Sequence, residues 1–216
     1  MNAPHESLRR ATFPLLVAGL IGHPVFILGY WLIDPAYGSL DPAAIVNSFV
    51  GKATVGTLAN AFALISCLLA VPATLGAVLV VGDRSPKLAV VGGALSIGGW
   101  IAVFGLLILD PVSIQFTLNG PPSKDLVDLF ARISTGPTVI ALNVLAALHL
   151  VGGLLLGIAC WRTKVIPLWA AIILTFGGLI HFASNVAGIL VVDSLTWIAL
   201  LIANTTIIQS LRAERT

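Results

Sequence analysis

Asn143–Cys160 reads NVLAALHLVGGLLLGIAC, Trp161–Pro167 reads WRTKVIP, and Leu168–Asn185 reads LWAAIILTFGGLIHFASN. A bilayer core about 30 Å thick is crossed by roughly 20 apolar residues in helix, and each flank approaches that length with a single ionisable side chain, a histidine. The cationic, proline-ended turn between them makes the pair a membrane hairpin. Working outward, the same grammar repeats to both ends of the chain.

Apolar residues are 58% of the 216, charged residues only 9%, and the mean hydropathy is +1.04. Soluble domains carry roughly 25% charged residues, so this composition excludes a soluble protein and fits one polytopic membrane domain, 1–216. The small net charge of +2 gathers in turns instead of forming a patch, which argues against a nucleic-acid partner. Cys67 and Cys160 fall at different depths and read as free, buried thiols.

The fold class expected is all-α: a bundle of six transmembrane helices with two short outer amphipathic surface helices and an internal repeat. The spans fall at about 12–33, 57–81, 88–109, 136–160, 165–184 and 194–211. The first, behind Arg9 and Arg10, is too long for a signal-peptide core and reads as a retained anchor. Asp34-Pro35 and Asp110-Pro111 read as stops to spans one and three. Each is followed by a capped amphipathic stretch, from Asp41-Pro42 and from Ser123, expected to lie on the membrane surface. Span, Asp-Pro, surface helix, span and basic turn then recur, aligning 12–87 with 88–167, and the last hairpin is a shortened third copy. Gly92, Ser96 and Gly99 form a small-residue stripe that places span three centrally, and Gly153 and Gly157 are expected to admit a neighbouring backbone.

Arg9, Arg10, Arg84, Lys87, Arg162, Lys164, Arg212 and Arg215 fall on one side, and Lys52, Lys124 and Arg132 on the other. By the positive-inside rule both termini are cytoplasmic, in a bacterial inner membrane. Six aspartates, Asp34, Asp41, Asp110, Asp125, Asp128 and Asp193, leave the outer face net negative.

Histidine in hydrocarbon is costly, so His23, His149 and His181 lead the functional candidates. Three readings stay open. The first is a small hydrophobic or amphipathic ligand bound in an outward-opening pocket between spans one, two, four and five, with His23, Asn60, Trp100, Asn143, Ser184 and Asn185 contributing. The second is an intramembrane acid/base enzyme, a cyclase, isomerase or hydrolase acting on a lipid or isoprenoid-like substrate, in which His149, His181 and an outer acid among Asp34, Asp110 and Asp193 share the work. The third is a b-type haem protein with His23 and His149, at matching depth, as axial ligands. Against these stands a structural role for each histidine, as a hydrogen-bond donor to a neighbouring helix, and for each outer aspartate, as a helix-stop charge. No HExxH, CxxC, phosphate loop or GxSxG motif occurs.

Arg162-Thr-Lys-Val-Ile-Pro167-Leu-Trp169, behind the LHLVGGLLLG run that contains His149, resembles the corresponding region of the DUF4386 family of small bacterial membrane proteins. The resemblance implies a six-span bundle and singles out the His149 position. His23 and the paired Asp-Pro stops are not features of that family's pattern.

Overall fold

The computed structural model describes the backbone of residues 3–213 and the side chains of 12–213. Among the described residues there are helices and no strands. Six segments are long and apolar enough to cross a membrane: Thr12–Ile33, Ala53–Gly82, Pro86–Thr117, Pro137–Thr163, Leu168–Val186 and Leu190–Ala213. The helices composing them are α1 (Ala3–Ile33), α3 (Ala53–Gly82), α4 and α5 (Pro86–Leu106, Leu109–Thr117), α7 and α8 (Pro137–Ala146, Leu148–Thr163), α9 (Leu168–Val186) and α10 (Leu190–Ala213). The short α2 (Pro42–Ser48) and α6 (Lys124–Ser134) complete the order.

Each span packs on the next in chain order, and α10 returns to α1, so the six close into a ring. Span three is one member of that ring and not its centre, its small residues lying mainly against span four, with Ser96 also bonded to Thr74 of span two. A Cβ on Gly99 would meet the backbone of His149 at 2.2 Å, and one on Gly152 would meet Ser96 N at 2.3 Å. Backbones approach closely there because no side chain stands between them. Gly157 does the same against Thr175, whereas Gly153 has nothing within 4 Å. The packing pair in span four is therefore Gly152 and Gly157, not Gly153 and Gly157.

Prolines set the breaks, and asparagines repair them. Proline lacks an N–H, so the carbonyl four residues before it loses its helical partner. Pro24 frees Leu20 O, which accepts from Asn204 Nδ2 at 2.8 Å, and Pro111 frees Leu107 O, which accepts from Asn60 Nδ2 at 2.8 Å. The second repair explains why Asp110-Pro111 does not end span three. The helix turns at Leu107–Ile108 and resumes as α5 to Thr117, carrying Asp110 inside. Asp34-Pro35 does end α1 at Ile33. Asn60→Leu should cost about 1–3 kcal/mol, because it strands a buried carbonyl in a place water does not reach. Thermal unfolding in detergent would read this as a lowered midpoint, with Asn60→Gln recovering part of it.

Asp41 and Ser123 cap α2 and α6 through Ala44 N and Leu126 N, as their sequences imply. Both short helices also contact the bundle. Val46, Phe49 and Phe130 are buried, Phe49 lies against Gly56, and α2, α5 and α6 pack together into a cap over one end of the ring. Phe49 turns into protein because Gly56 leaves a recess that its ring fills, while Leu129 and Ile133 of α6 stay exposed. Spans two and six start earlier than the polar residues suggest, at Ala53 and Leu190, so Asp193 lies in the first turn of α10 and not before it. The internal repeat holds as an order of elements, with the difference that only the first Asp-Pro is a stop.

Candidate functional site

Two neighbouring cavities lie within the ring. A vestibule of about 400 Å³ lies beneath the cap formed by α2 and α6, and an inner chamber of about 140 Å³ reaches deeper, to Cys160 and Ile207. Trp100, His149 and His181 line both, so these three side chains form the junction. All six spans line the inner chamber, two more than the sequence suggests. Gly153 and Gly178 face this chamber, which is why Gly153 meets nothing within 4 Å.

The tautomer of each histidine follows from its partner, since a carbonyl can only accept. His149 Nδ1 donates to Ala146 O. That carbonyl is free because the helix breaks at Ala147 and Leu150 N turns to Ala147 O. His23 Nδ1 lies 2.8 Å from Ser66 Oγ and 3.1 Å from Ser66 O. The Ser66 hydroxyl spends its own proton on His23 O at 3.0 Å, so its oxygen accepts from the imidazole. His181 Nδ1 donates to Asp193 Oδ1 at 2.6 Å. Trp197 Nε1 lies 3.2 Å from the same ring nitrogen, and the shorter carboxylate contact takes the single site.

All three rings are thus held by Nδ1–H, and no hydrogen bond among the described residues engages their Nε2 atoms. The buried side-chain polar atoms with no neighbour in hydrogen-bond range, among the described residues, are Trp31 Nε1, Asn185 Nδ2 and Ser194 Oγ, and with His181 Nδ1 protonated the Trp197 indole N–H has no acceptor in the protein either. No imidazole nitrogen is among them, so each Nε2 keeps access to the cavity its residue lines.

Asp193 is fully buried, and both of its oxygens are used: Oδ1 by His181, and Oδ2 by the Tyr37 hydroxyl at 3.1 Å. The reading of Asp193 as a helix-stop charge at the water boundary is corrected here. Its place in the first turn of α10 favours a negative charge, and two donors replace lost water. Proximity to this carboxylate also pushes the Tyr37 phenol further up, after the effect of its own desolvation.

Asp34 and Asp110 line the vestibule on either side of Tyr30, whose hydroxyl donates to Asp110 Oδ2 at 3.3 Å and also lies against Asp34. Asp110 is held inside a span, not at a helix stop. Burial pushes the Asp34 carboxyl above the ordinary carboxylate range, opposed by hydrogen bonds from Ala36 N and Tyr30. Asn143 and Asn185 line the vestibule, and His23 the inner chamber. Asn60 spends its amide on Leu107 O and on Asp110 at 3.4 Å, while Ser184, though buried, lines neither cavity.

The rings form a connected series. Trp100 contacts His23 and His149 at centroid separations of 4.5 and 4.6 Å, Trp197 contacts His23 and His181, and Trp31 contacts His181, Tyr30 and Tyr37. Haem does not fit this arrangement. Trp100 packs against both rings that would have to ligate the iron, and the chamber matches the roughly 150 Å³ cavity that holds benzene, several-fold smaller than a porphyrin requires. No group of three or more His, Cys, Asp or Glu stands together for a metal ion among the described residues.

No family model, curated protein or solved structure matches the chain. Tyr30, Trp31, Tyr37, Ser66 and Trp197 are site residues that sequence reasoning missed, Trp31 reading as an ordinary interface anchor at a span end. The signal for Tyr30 and Tyr37 was present: they are the only tyrosines in the chain, and they flank Asp34.

Proposed function

We propose that this membrane protein holds one small amphipathic ligand, its head group in the vestibule and its apolar body in the inner chamber. The observation that carries this reading is the junction. The vestibule, mainly apolar but bearing the Asp34 and Asp110 carboxylates and the Asn143 and Asn185 amides, adjoins across Trp100, His149 and His181 a smaller chamber walled mainly by apolar and small residues. Ligand sites of this kind combine an apolar wall with a few placed polar groups. The vestibule faces the outside in this reading. Arg84, Lys87, Arg162, Lys164 and Arg212 stand at the end bearing the termini, against Lys52, Lys124 and Arg132 at the capped end. Arg9 and Arg10 belong to the same count by sequence, but their side chains, like Arg215, lie outside the described residues.

The binding is testable by tryptophan emission. Trp31, Trp100 and Trp197 line the cavities, so a brominated six-carbon amphiphile should quench a saturable fraction of the emission, and Trp100→Phe should remove much of that fraction. Quenching that rises linearly with probe, without saturation, would count against a defined site.

A second reading is supported by the His181–Asp193 pair. A buried carboxylate on Nδ1–H orients an imidazole and stabilises the imidazolium formed when Nε2 takes a proton. That arrangement serves acid/base chemistry on the bound molecule, with His181 as the base and Asp193 and Tyr37 as positioning residues.

A further inference from the structure

At the end of the bundle that bears the termini, two basic turns meet. The turn between α3 and α4 and the C-terminus of α8 border an open recess of about 760 Å³, and every charged side chain lining it is a cation: Arg84, Lys87 and Arg162. Asp83 belongs to the same turn but does not line the recess. None of the three cations pairs with a carboxylate among the described residues. Like charges gathered on one concavity repel one another, and an anion placed among them relieves that repulsion.

The backbone holds this arrangement in place. Lys164, at φ 53°, ends α8 in the left-handed conformation, and the carbonyls of the last helical turn are left without helical partners. Thr163 O accepts from Arg84 Nη1 at 3.3 Å, which ties the two turns together across 79 residues of chain. That bond uses one N–H of the guanidinium and leaves the rest of its fork for a ligand. Ser85 precedes Pro86 at the start of α4 without a side-chain cap bond, and the amides of Lys87 and Leu88 come before the first helical bond, from Ala89 N to Ser85 O. The positive end of a 21-residue helix adds to the field of the three side chains.

The surface leading away from the recess identifies what carries the anion. Leu88 lines the recess, and Val91 and Leu95 follow it at helical spacing along α4, with Val91 exposed and the other two half-buried. On α8, Ile158, Leu155 and Val151 run back from Arg162 at the same spacing, and none of them is buried. Both tracks run from the cations into spans long enough to cross the membrane. Trp161, next to Arg162, is exposed at the depth where interfacial tryptophans sit. A free phosphate leaves these apolar tracks uncovered, whereas an acyl chain covers them. A zwitterionic head group brings an ammonium toward three cations, and an anionic one does not.

We infer that this recess is a binding site for an anionic phospholipid, whose phosphate accepts from Arg84 and Arg162 beside Lys87 and whose acyl chain follows α4 and α8. By the charge count above, the lipid belongs to the cytoplasmic leaflet, the one with a negative surface potential. The site shares no lining residue with the vestibule or the inner chamber and does not depend on what they hold.

The test is native mass spectrometry of the full chain titrated in detergent with dioleoylphosphatidylglycerol or dioleoylphosphatidylcholine, which differ only in head group. We expect the phosphatidylglycerol to bind at least tenfold more tightly, with a preference that shrinks as salt rises. A cation beside an anionic lipid is worth roughly fivefold in affinity, so Arg84→Gln combined with Arg162→Gln should weaken phosphatidylglycerol tenfold or more and leave phosphatidylcholine unchanged. Lys164→Asn removes a cation that does not line the recess, keeps a residue suited to the left-handed backbone, and should leave both lipids unchanged. Equal binding of the two lipids would overturn the assignment. So would a loss from Lys164→Asn as large as that from the double variant, which would leave only diffuse surface charge. Inorganic phosphate that displaces phosphatidylglycerol at equal concentration would overturn the lipid in favour of a free anion. Should the double variant not elute as a monodisperse peak, Lys87→Gln, expected to cost roughly fivefold, and the comparison of the two lipids on wild type decide between the same outcomes.

Discussion

Gly152→Leu is expected to abolish folded yield in detergent, whereas Gly153→Leu leaves yield near normal and empties the inner chamber of its ligand. The two glycines are neighbours, but a helix turns 100° per residue and presents them to different surroundings. A Cβ at Gly152 would sit 2.3 Å from Ser96 N, 2.6 Å from Gly92 O and 2.7 Å from Ser96 Cα, all of them backbone atoms of α4 that cannot swing aside. Separating α4 from α8 would forfeit the packing on which helix association in a membrane depends, so the loss exceeds the roughly 1–3 kcal/mol of a tolerated overpacking. At Gly153 there is open space, and that space is the inner chamber. A leucine there occupies the volume reserved for the ligand's apolar body and should weaken binding about tenfold or more, corresponding to some 1.4 kcal/mol. Monodisperse elution and thermal unfolding read the first effect, and the saturable tryptophan quenching reads the second.

Asp193→Ala should be the most damaging single truncation of a polar side chain. It removes the acceptor from His181 Nδ1–H and from the Tyr37 hydroxyl at once, at a position that is fully buried. Two stranded donors cost about 1–3 kcal/mol each. A cavity is left as well, so the melting midpoint should fall further than for Tyr37→Phe, which removes only one of the two donors. Asp193→Asn separates stability from chemistry. It keeps the shape and one acceptor oxygen, so the fold should largely survive, while the imidazolium of His181 loses its counter-charge. If acid/base turnover occurs at this site, Asp193→Asn should depress it and shift its pH profile, and a merely structural pair would show neither change.

The six spans were legible because about twenty apolar residues in a row leave few alternatives to crossing a bilayer. The caps of α2 and α6 were legible for a local reason: Asp41 and Ser123 each act on backbone three residues ahead. What was not legible depends on partners distant in the chain. Asp110-Pro111 carries every mark of a stop, and it fails to be one because Asn60, 47 residues earlier, supplies the donor that Leu107 O lost. Asp193 looks like a boundary charge beside apolar Ile189–Val192, and it is buried because Tyr37 and His181 converge on it. Cost alone singled out the histidines, and each of the three lines a cavity. Their pairing with Ser66, Ala146 and Asp193, which leaves Nε2 free in each, follows from helix breaks and packing that residue type does not encode.

The central claim is that the two chambers hold one small amphipathic molecule. Native mass spectrometry of the full chain, released gently from detergent, measures this directly when wild type and Gly153→Leu are compared. The account predicts a wild-type population carrying one added small mass, dissociable on activation and absent from a well-folded Gly153→Leu. A wild-type protein that flies only as the bare chain, or a Gly153→Leu variant that keeps the same added mass, would contradict it.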